Sequence, residues 1–289
     1  MPTRGIVICP PFKFDKGSDG GGSFAFQQTD PVDLREYALY WDVIDLPNQN
    51  LVGITPSPED DFALLEQEGV FIRSHVELGG FSGSIALMGV SFIVAQTIAA
   101  ERHNAEGGAW AIGQNSANLV LPAAVSHEAR VAEVSLYKSV PVPLAEVPIE
   151  QVLEFKSRRR DELDQYRFVL DSLYQDIASS GDVTRAKSYA VDKIQNSILD
   201  LNRVMGESAL KRRLRSVRVE LNLSDLIKDA IIGGAASFAF GIPPAVGTGV
   251  ALAASAINIG VGVAPKLNSV PDHLRDYAYV FAAQEEFGA

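Results

Sequence analysis

A run of 34 residues without a charged side chain, at positions 231–264, limits what this chain can fold into. The chain as a whole is soluble in character, since 21% of its 289 residues are charged. A segment this apolar requires a protein core, a partner, a lipid or a bilayer around it. Pro243 and Pro244 interrupt any single helix, so the pattern predicts two helices, at about 226–241 and 245–263.

Three environments stay open for this apolar helical pair, residues 226–264. Its arms are roughly 24–29 Å long as helices, which is marginal for a hydrocarbon core about 30 Å thick. Small residues permit close helix packing, but they also leave room for a cavity between the helices. The alternatives are therefore a plain core, a membrane-inserting hairpin and an apolar ligand pocket. The pocket predicts ligand contacts from eight large side chains: Ile232, Phe238, Phe240, Val246, Val250, Leu252, Ile257 and Ile259.

Two basic clusters lie on a predicted antiparallel helical hairpin at residues 149–215. Apolar residues recur at helical spacing on both sides of a turn at 179–182, which is typical of a coiled-coil-like seam. Counting from the turn, both clusters fall toward the open end of the hairpin. They form either a solvated, salt-bridged surface or a site for phosphate headgroups or an acidic partner. The anion-binding interpretation predicts contacts from Arg158, Arg159, Arg160, Lys211, Arg212, Arg213 and Arg215.

The order of predicted elements favours an α+β fold dominated by helices. Strands are expected at 5–9, 70–75, 118–124, 130–138 and 217–223, and helices before the hairpin at 31–40, 57–68 and 84–102. A glycine-rich loop is expected at 15–23, and a final helix at 272–287. Prolines at 141, 143 and 148 mark a linker. We predict an N-terminal α/β portion, 1–140, packed with a C-terminal helical portion, 141–289, that contains the hairpin and the apolar helical pair.

No catalytic motif is complete. The segment at 80–84 reads GFSGS, so Ser82 lacks the glycine that a nucleophile elbow needs two residues after its serine. The glycines near Lys16 lack P-loop spacing. His103 lies at the end of the predicted helix at 84–102, where a cation is favoured, and a catalytic role stays open although no nucleophile has a diagnostic spacing. His75 is expected to be a strand-end or core histidine.

Metal and cofactor sites are not predicted. The four histidines are far apart and Cys9 is the only cysteine, so no local metal ligand set forms. Acidic residues at 59–61 are consecutive on a helix and point in different directions, while the helix dipole explains their presence. We expect folding to require no cofactor, metal or nucleotide.

Charge and composition restrict the partners and the compartment. Residues 1–150 carry 8 basic and 19 acidic side chains, a net −11, whereas residues 151–289 carry 17 of each. The acidic half argues against nucleic-acid binding. The absence of a signal-like apolar segment at the start predicts a cytoplasmic protein, with peripheral contact at the inner membrane face as a further expectation.

Three segments carry a resemblance to a known family. They are LYWD at 39–42, PIEQVLEFKSRRRDEL at 148–163 and YAYV at 277–280. The chain resembles a bacterial family of uncharacterised proteins with these segments, over nearly its whole length. The resemblance implies a bacterial origin and a link to antiviral defence systems, and it supplies no catalytic residue.

Together these patterns predict a non-enzymatic sensor or binding protein for a hydrophobic ligand such as a lipid. Two alternatives stay open. One is an enzyme of undetermined class with its site in the N-terminal portion. The other is a scaffold subunit whose apolar helices and coiled seam bind a protein partner.

Overall fold

The computed structural model describes residues 3–16, 22–79, 85–114, 118–121, 142–205, 218–222 and 272–287. Helices dominate and the strands form small sheets, so the predicted helix-dominated α+β class is confirmed. The helices are α1 (Pro31–Tyr40), α2 (Glu59–Gln67), α3 (Ile85–Ala105), α4 (Ile149–Arg158), α5 (Arg160–Ser179), α6 (Val183–Met205), a 3₁₀ helix (Asp272–Tyr277) and α7 (Ala278–Phe287). The strands are β1 (Arg4–Ile8), β2 (Phe12–Lys16), β3 (Gly22–Phe26), β4 (Val43–Asp45), β5 (Asn48–Gln49), β6 (Phe71–Ile72), β7 (His75–Val76), β8 (Ala109–Gly113), β9 (Asn118–Leu121) and β10 (Arg218–Asn222).

The described residues divide into two compact units, each assembled from three separate segments. The sheet unit comprises those within Met1–Asp30, Trp41–His127 and Arg218–Ala253. The helical unit comprises those within Pro31–Tyr40, Glu128–Val217 and Ala254–Ala289. The predicted domain boundary at 140 and the apolar helical pair lie outside the described residues.

A four-stranded parallel sheet forms the centre of the sheet unit. Its strand order is β6-β4-β1-β8, with β1 paired to β4 on one side and to β8 on the other. The central strand β1 is buried throughout, as its apolar run Ile6–Ile8 requires. Strands β4 and β6 follow β1 in the sequence and lie on one side of it, whereas the later strand β8 lies on the other side. The order of the strands therefore reverses between β1 and β8. Open parallel sheets bind ligands at the carboxyl ends of the strands at such a switch point.

Helix α3 packs on this sheet, against β8 and β1. Its long apolar sequence places Val90, Ile93, Val94 and Ala99 in the core, each fully buried.

Strands occupy both ends of the glycine-rich stretch that was predicted as a loop at 15–23. Strands β2 and β3 pair antiparallel from Phe12↔Phe26 to Lys16↔Gly22, so strand pairing extends into 15–16 and 22–23. A separate parallel pair joins β9 to β10.

The helical unit contains the predicted hairpin, which is described from 149 to 205. Helices α5 and α6 pack on each other across a turn at 180–182, where Asp182 Oδ1 accepts the backbone N–H of Arg185. That contact caps the N-terminus of α6. The first arm is divided at Arg159, whose φ of −112° separates α4 from α5. Residues 206–215 lie outside the described part.

The three segments that carry the family resemblance meet in one aromatic core of the helical unit. Tyr279 donates its hydroxyl hydrogen bond to the Leu39 carbonyl at 2.8 Å, and its ring lies 6.0 Å from that of Tyr40. Phe155, from the LEF segment, has its ring 5.4 Å from Tyr279. These motif residues therefore pack against one another in the core.

Candidate functional site

A buried polar cluster of the sheet unit surrounds Asp45, the last residue of β4. Its side chain is fully buried. Asp45 Oδ2 accepts from the Ser74 hydroxyl at 2.5 Å and lies 2.8 Å from His103 Nε2, while Oδ1 accepts the Ser74 backbone N–H at 2.9 Å. Three contacts thus replace the water that a buried carboxylate would otherwise need.

The indole ring of Trp110 packs against a face of the His103 imidazole. The two rings stack with centroids 4.0 Å apart and an angle of 16° between their planes. Trp110 in turn lies over Gly5 of β1, where a Cβ would approach its ring atoms to 2.2 Å. The glycine therefore makes room for the indole, and the indole orients the imidazole.

The arrangement of this cluster does not match a serine hydrolase. In a catalytic triad the serine donates its hydrogen bond to the histidine, which takes up the proton. Here the Ser74 hydroxyl donates to Asp45, which also holds His103. The sequence indicated His103 but neither Asp45 nor Ser74, because a three-residue strand shows no periodicity and both partners are distant along the chain.

A buried side-chain amide joins β1 to β8 near the switch point of the parallel sheet. Gln96 of α3 donates from Nε2 to the carbonyls of Val7 and Gly113, at 2.7 Å each. Gln114 donates to Gln96 Oε1 at 2.9 Å. Nearby, burial raises the pKa of Cys9 to about 12, so its thiol is protonated at neutral pH and is a poor nucleophile.

The helical unit contains an open cleft of about 470 Å³ between α5, α6 and the 3₁₀ helix. One wall is apolar and is made by Phe168, Val169 and Leu173 of α5. Phe168 is 61% exposed, which is unusual for so large an apolar side chain. Lys193 of α6 and Asp276 of the 3₁₀ helix also line the cleft, and neither forms an ion pair with another described residue.

Tyr277 contributes a buried phenol to this cleft. Its pKa is raised, first by burial and also by the negative charge of Asp276, while a hydrogen bond with Ser197 acts in the opposite direction. The phenol is therefore neutral at physiological pH and retains a proton to donate.

The described half of the predicted anion site is already paired with carboxylates. Arg158 contacts Glu286, Arg159 lies 2.9 Å from Glu162, and Arg160 lies 3.5 Å from Asp164. The structure thus supplies each of these three consecutive arginines, at the junction of α4 and α5, with its own carboxylate partner. The remaining four cations, Lys211, Arg212, Arg213 and Arg215, lie outside the described residues.

Other predicted sites are mostly outside the described part. None of the eight apolar contact residues between 232 and 259 is described, and neither is the GFSGS segment at 80–84. Acidic residues 59–61 occupy the first turn of α2. Among the residues that the structure describes, no group of three or more His, Cys, Asp or Glu could hold a metal ion. Of the helices in the described ranges, none is both long enough and apolar enough to cross a membrane.

Comparison with known proteins identifies the family but no activity. No curated protein and no solved structure matches the chain. A family model described as "Family of unknown function (DUF6236)" matches residues 19–288, which confirms the predicted membership of an uncharacterised family. The chain therefore belongs to the family of unknown function DUF6236.

Proposed function

We propose that this protein binds an apolar or amphipathic small molecule, with lipids as the favoured class, and acts as a sensor or binding protein rather than an enzyme. The observation that carries the proposal is the uncharged run of 34 residues at 231–264. Its small residues and its break at Pro243-Pro244 suit two short helices with space between them. The alternative enzyme site finds little support at Asp45 and His103, because among the described residues the imidazole is hydrogen-bonded to the Asp45 carboxylate and to no nucleophile.

Headgroup recognition is assigned to the second basic cluster. Because Arg158, Arg159 and Arg160 each have a carboxylate partner, the cations at 211–215 are the better candidates for an anionic headgroup. They lie shortly before the uncharged run in the sequence, as a site for a headgroup and its acyl chain requires. A role in antiviral defence remains a prediction from the family resemblance alone.

The substitution Ala251→Trp is expected to reduce the amount of apolar molecule that co-purifies with the protein. An indole at this position fills a ligand cavity, whereas in a tightly packed core it costs about 1–3 kcal/mol of stability. Organic extraction followed by mass spectrometry measures the ligand, and thermal unfolding measures stability. The control is Ala178→Trp, at an exposed position of α5.

The proposal requires ligand loss with a nearly unchanged melting temperature in Ala251→Trp and no ligand loss in Ala178→Trp. A wild-type protein that yields no apolar molecule and ignores liposomes contradicts the proposal. The uncharged run would then be ordinary core, and the protein-partner scaffold would become the better interpretation.

Reversing one charge in the second cluster, Arg212→Glu, is expected to weaken binding to anionic liposomes at least fivefold at low salt. A basic residue near an anionic surface contributes about 1 kcal/mol, and salt screens that attraction. Co-sedimentation at low and high salt measures the effect. Arg185→Glu changes the net charge equally at the turn end of the hairpin and should have a smaller effect. Equal losses in both variants would contradict a localised headgroup site.

A further inference from the structure

We propose that the cleft between α5, α6 and the 3₁₀ helix binds a small zwitterion with an apolar body. Its anionic group would contact Lys193, its ammonium group Asp276, and its apolar body the exposed ring of Phe168. This site goes beyond the proposed function, because the side chains that define it lie on α5, α6 and the 3₁₀ helix.

Charge complementarity is the first argument for a zwitterion. Lys193 and Asp276 carry opposite charges, line the same cleft and form no ion pair with any described residue. A simple anion would contact Lys193 but be repelled by Asp276, and a simple cation would meet the reverse problem. A ligand with both charges satisfies both side chains.

The apolar wall is the second argument. Phe168 is 61% exposed, although its neighbours Val169 and Leu173 on the same helix are largely covered. An aromatic face left open beside charged and hydrogen-bonding groups is typical of small-molecule sites, which combine an apolar lining with a few polar contacts. The volume of about 470 Å³ also falls within the range for such sites.

Titration of the full-length protein with leucyl-leucine by isothermal calorimetry tests the proposal. This dipeptide is a zwitterion with apolar side chains. N-acetyl-leucyl-leucine retains only the negative charge, and leucyl-leucine amide only the positive one. Because the cleft is open to solvent and each ion pair is partly hydrated, we expect both derivatives to bind about three- to tenfold more weakly. Dihexanoylphosphatidylcholine, tested in parallel, distinguishes a lipid headgroup from a peptide-like source of the zwitterion.

Two neutralising substitutions should each remove the advantage of the zwitterion over one of the two derivatives. In Asp276→Asn, the zwitterion should lose its advantage over the acetylated, anionic dipeptide. In Lys193→Gln, it should lose its advantage over the cationic amide. The charge exchange Lys193→Asp with Asp276→Lys should restore the preference for the zwitterion, a result that a merely structural role of these residues does not produce.

Two control positions, Lys187 and Asp192, lie on α6 and are not among the described residues that line the cleft. Lys187→Gln and Asp192→Asn should leave all affinities unchanged. The proposal is overturned if the wild-type protein binds neither zwitterion, or if Lys193→Gln and Asp276→Asn bind the three dipeptides as the wild type does. Neither result affects the lipid proposal, which Ala251→Trp and the extraction experiment test separately.

Discussion

Asp45→Ala is expected to lower the free energy of unfolding by about 3–5 kcal/mol, because it removes a buried carboxylate that holds three polar contacts, and each such group left without its partner costs about 1–3 kcal/mol. The substitution leaves the Ser74 hydroxyl, the Ser74 N–H and His103 Nε2 without their common acceptor. Asp45 is itself fully buried, so the substitution removes this acceptor from the core. A loss of this size is a large share of the stability of an ordinary domain, which is about 5–15 kcal/mol.

Urea unfolding followed by tryptophan fluorescence measures this loss, since Trp110 stacks on His103 and reports on the cluster. Asp45→Asn keeps the shape of the side chain and one acceptor oxygen, and should cost less, about 1–3 kcal/mol. Asp60→Ala removes an exposed carboxylate from the first turn of α2 and should cost less than about 1 kcal/mol. If Asp45→Ala is as stable as Asp60→Ala, the cluster does not hold the sheet unit together.

A double-mutant cycle separates the Asp45–His103 contact from the rest of the cluster. Residues in direct contact typically show coupling energies of about 0.5–3 kcal/mol. We expect the combined Asp45→Ala and His103→Ala variant to be more stable than the sum of the single effects predicts, because each single change already breaks their shared contact. Strict additivity would place the stabilising role in Ser74 instead.

Local patterns were sufficient to predict the helices and the central strand. The helical period of the hairpin predicts Leu163, Tyr166, Leu170, Leu173 and Ile177 on one face, and all five are buried in the structure. Apolar runs likewise predict β1 and α3. These elements follow from sequence because each repeats one simple rule over many residues.

The buried polar contacts were not predictable in the same way. Asp45 is the last residue of a strand of only three residues, and its partners are 29 and 58 positions away. Arg167 lies beside the apolar seam of α5, where a charged residue is normally assigned to solvent, yet it is 1% exposed. Its acceptor is the Tyr40 carbonyl, 127 positions earlier. Such contacts depend on the assembled fold, so a single sequence does not indicate them.

Arg167→Ala is expected to destabilise the helical unit by about 3–5 kcal/mol, as large-to-small changes at buried positions do. The guanidinium donates to the Tyr40 carbonyl at 2.8 Å and lies 3.3 Å from Asp164. Truncation leaves a cavity in the aromatic core and a buried carbonyl without its donor. Arg167→Lys should recover little of the loss, because one ammonium group does not reproduce the planar arrangement of guanidinium donors.

Arg160 provides a matched control on the same helix, because it pairs with the same carboxylate, Asp164, at 3.5 Å but is 46% exposed. Exposed ion pairs contribute about 0–1 kcal/mol, so Arg160→Ala should unfold at nearly the urea concentration of the wild type. Circular dichroism at 222 nm follows both transitions. The two arginines share Asp164 as a partner and differ in burial and in the Tyr40 contact. Equal midpoints for Arg160→Ala and Arg167→Ala would show that the buried arginine adds no more to stability than a surface ion pair.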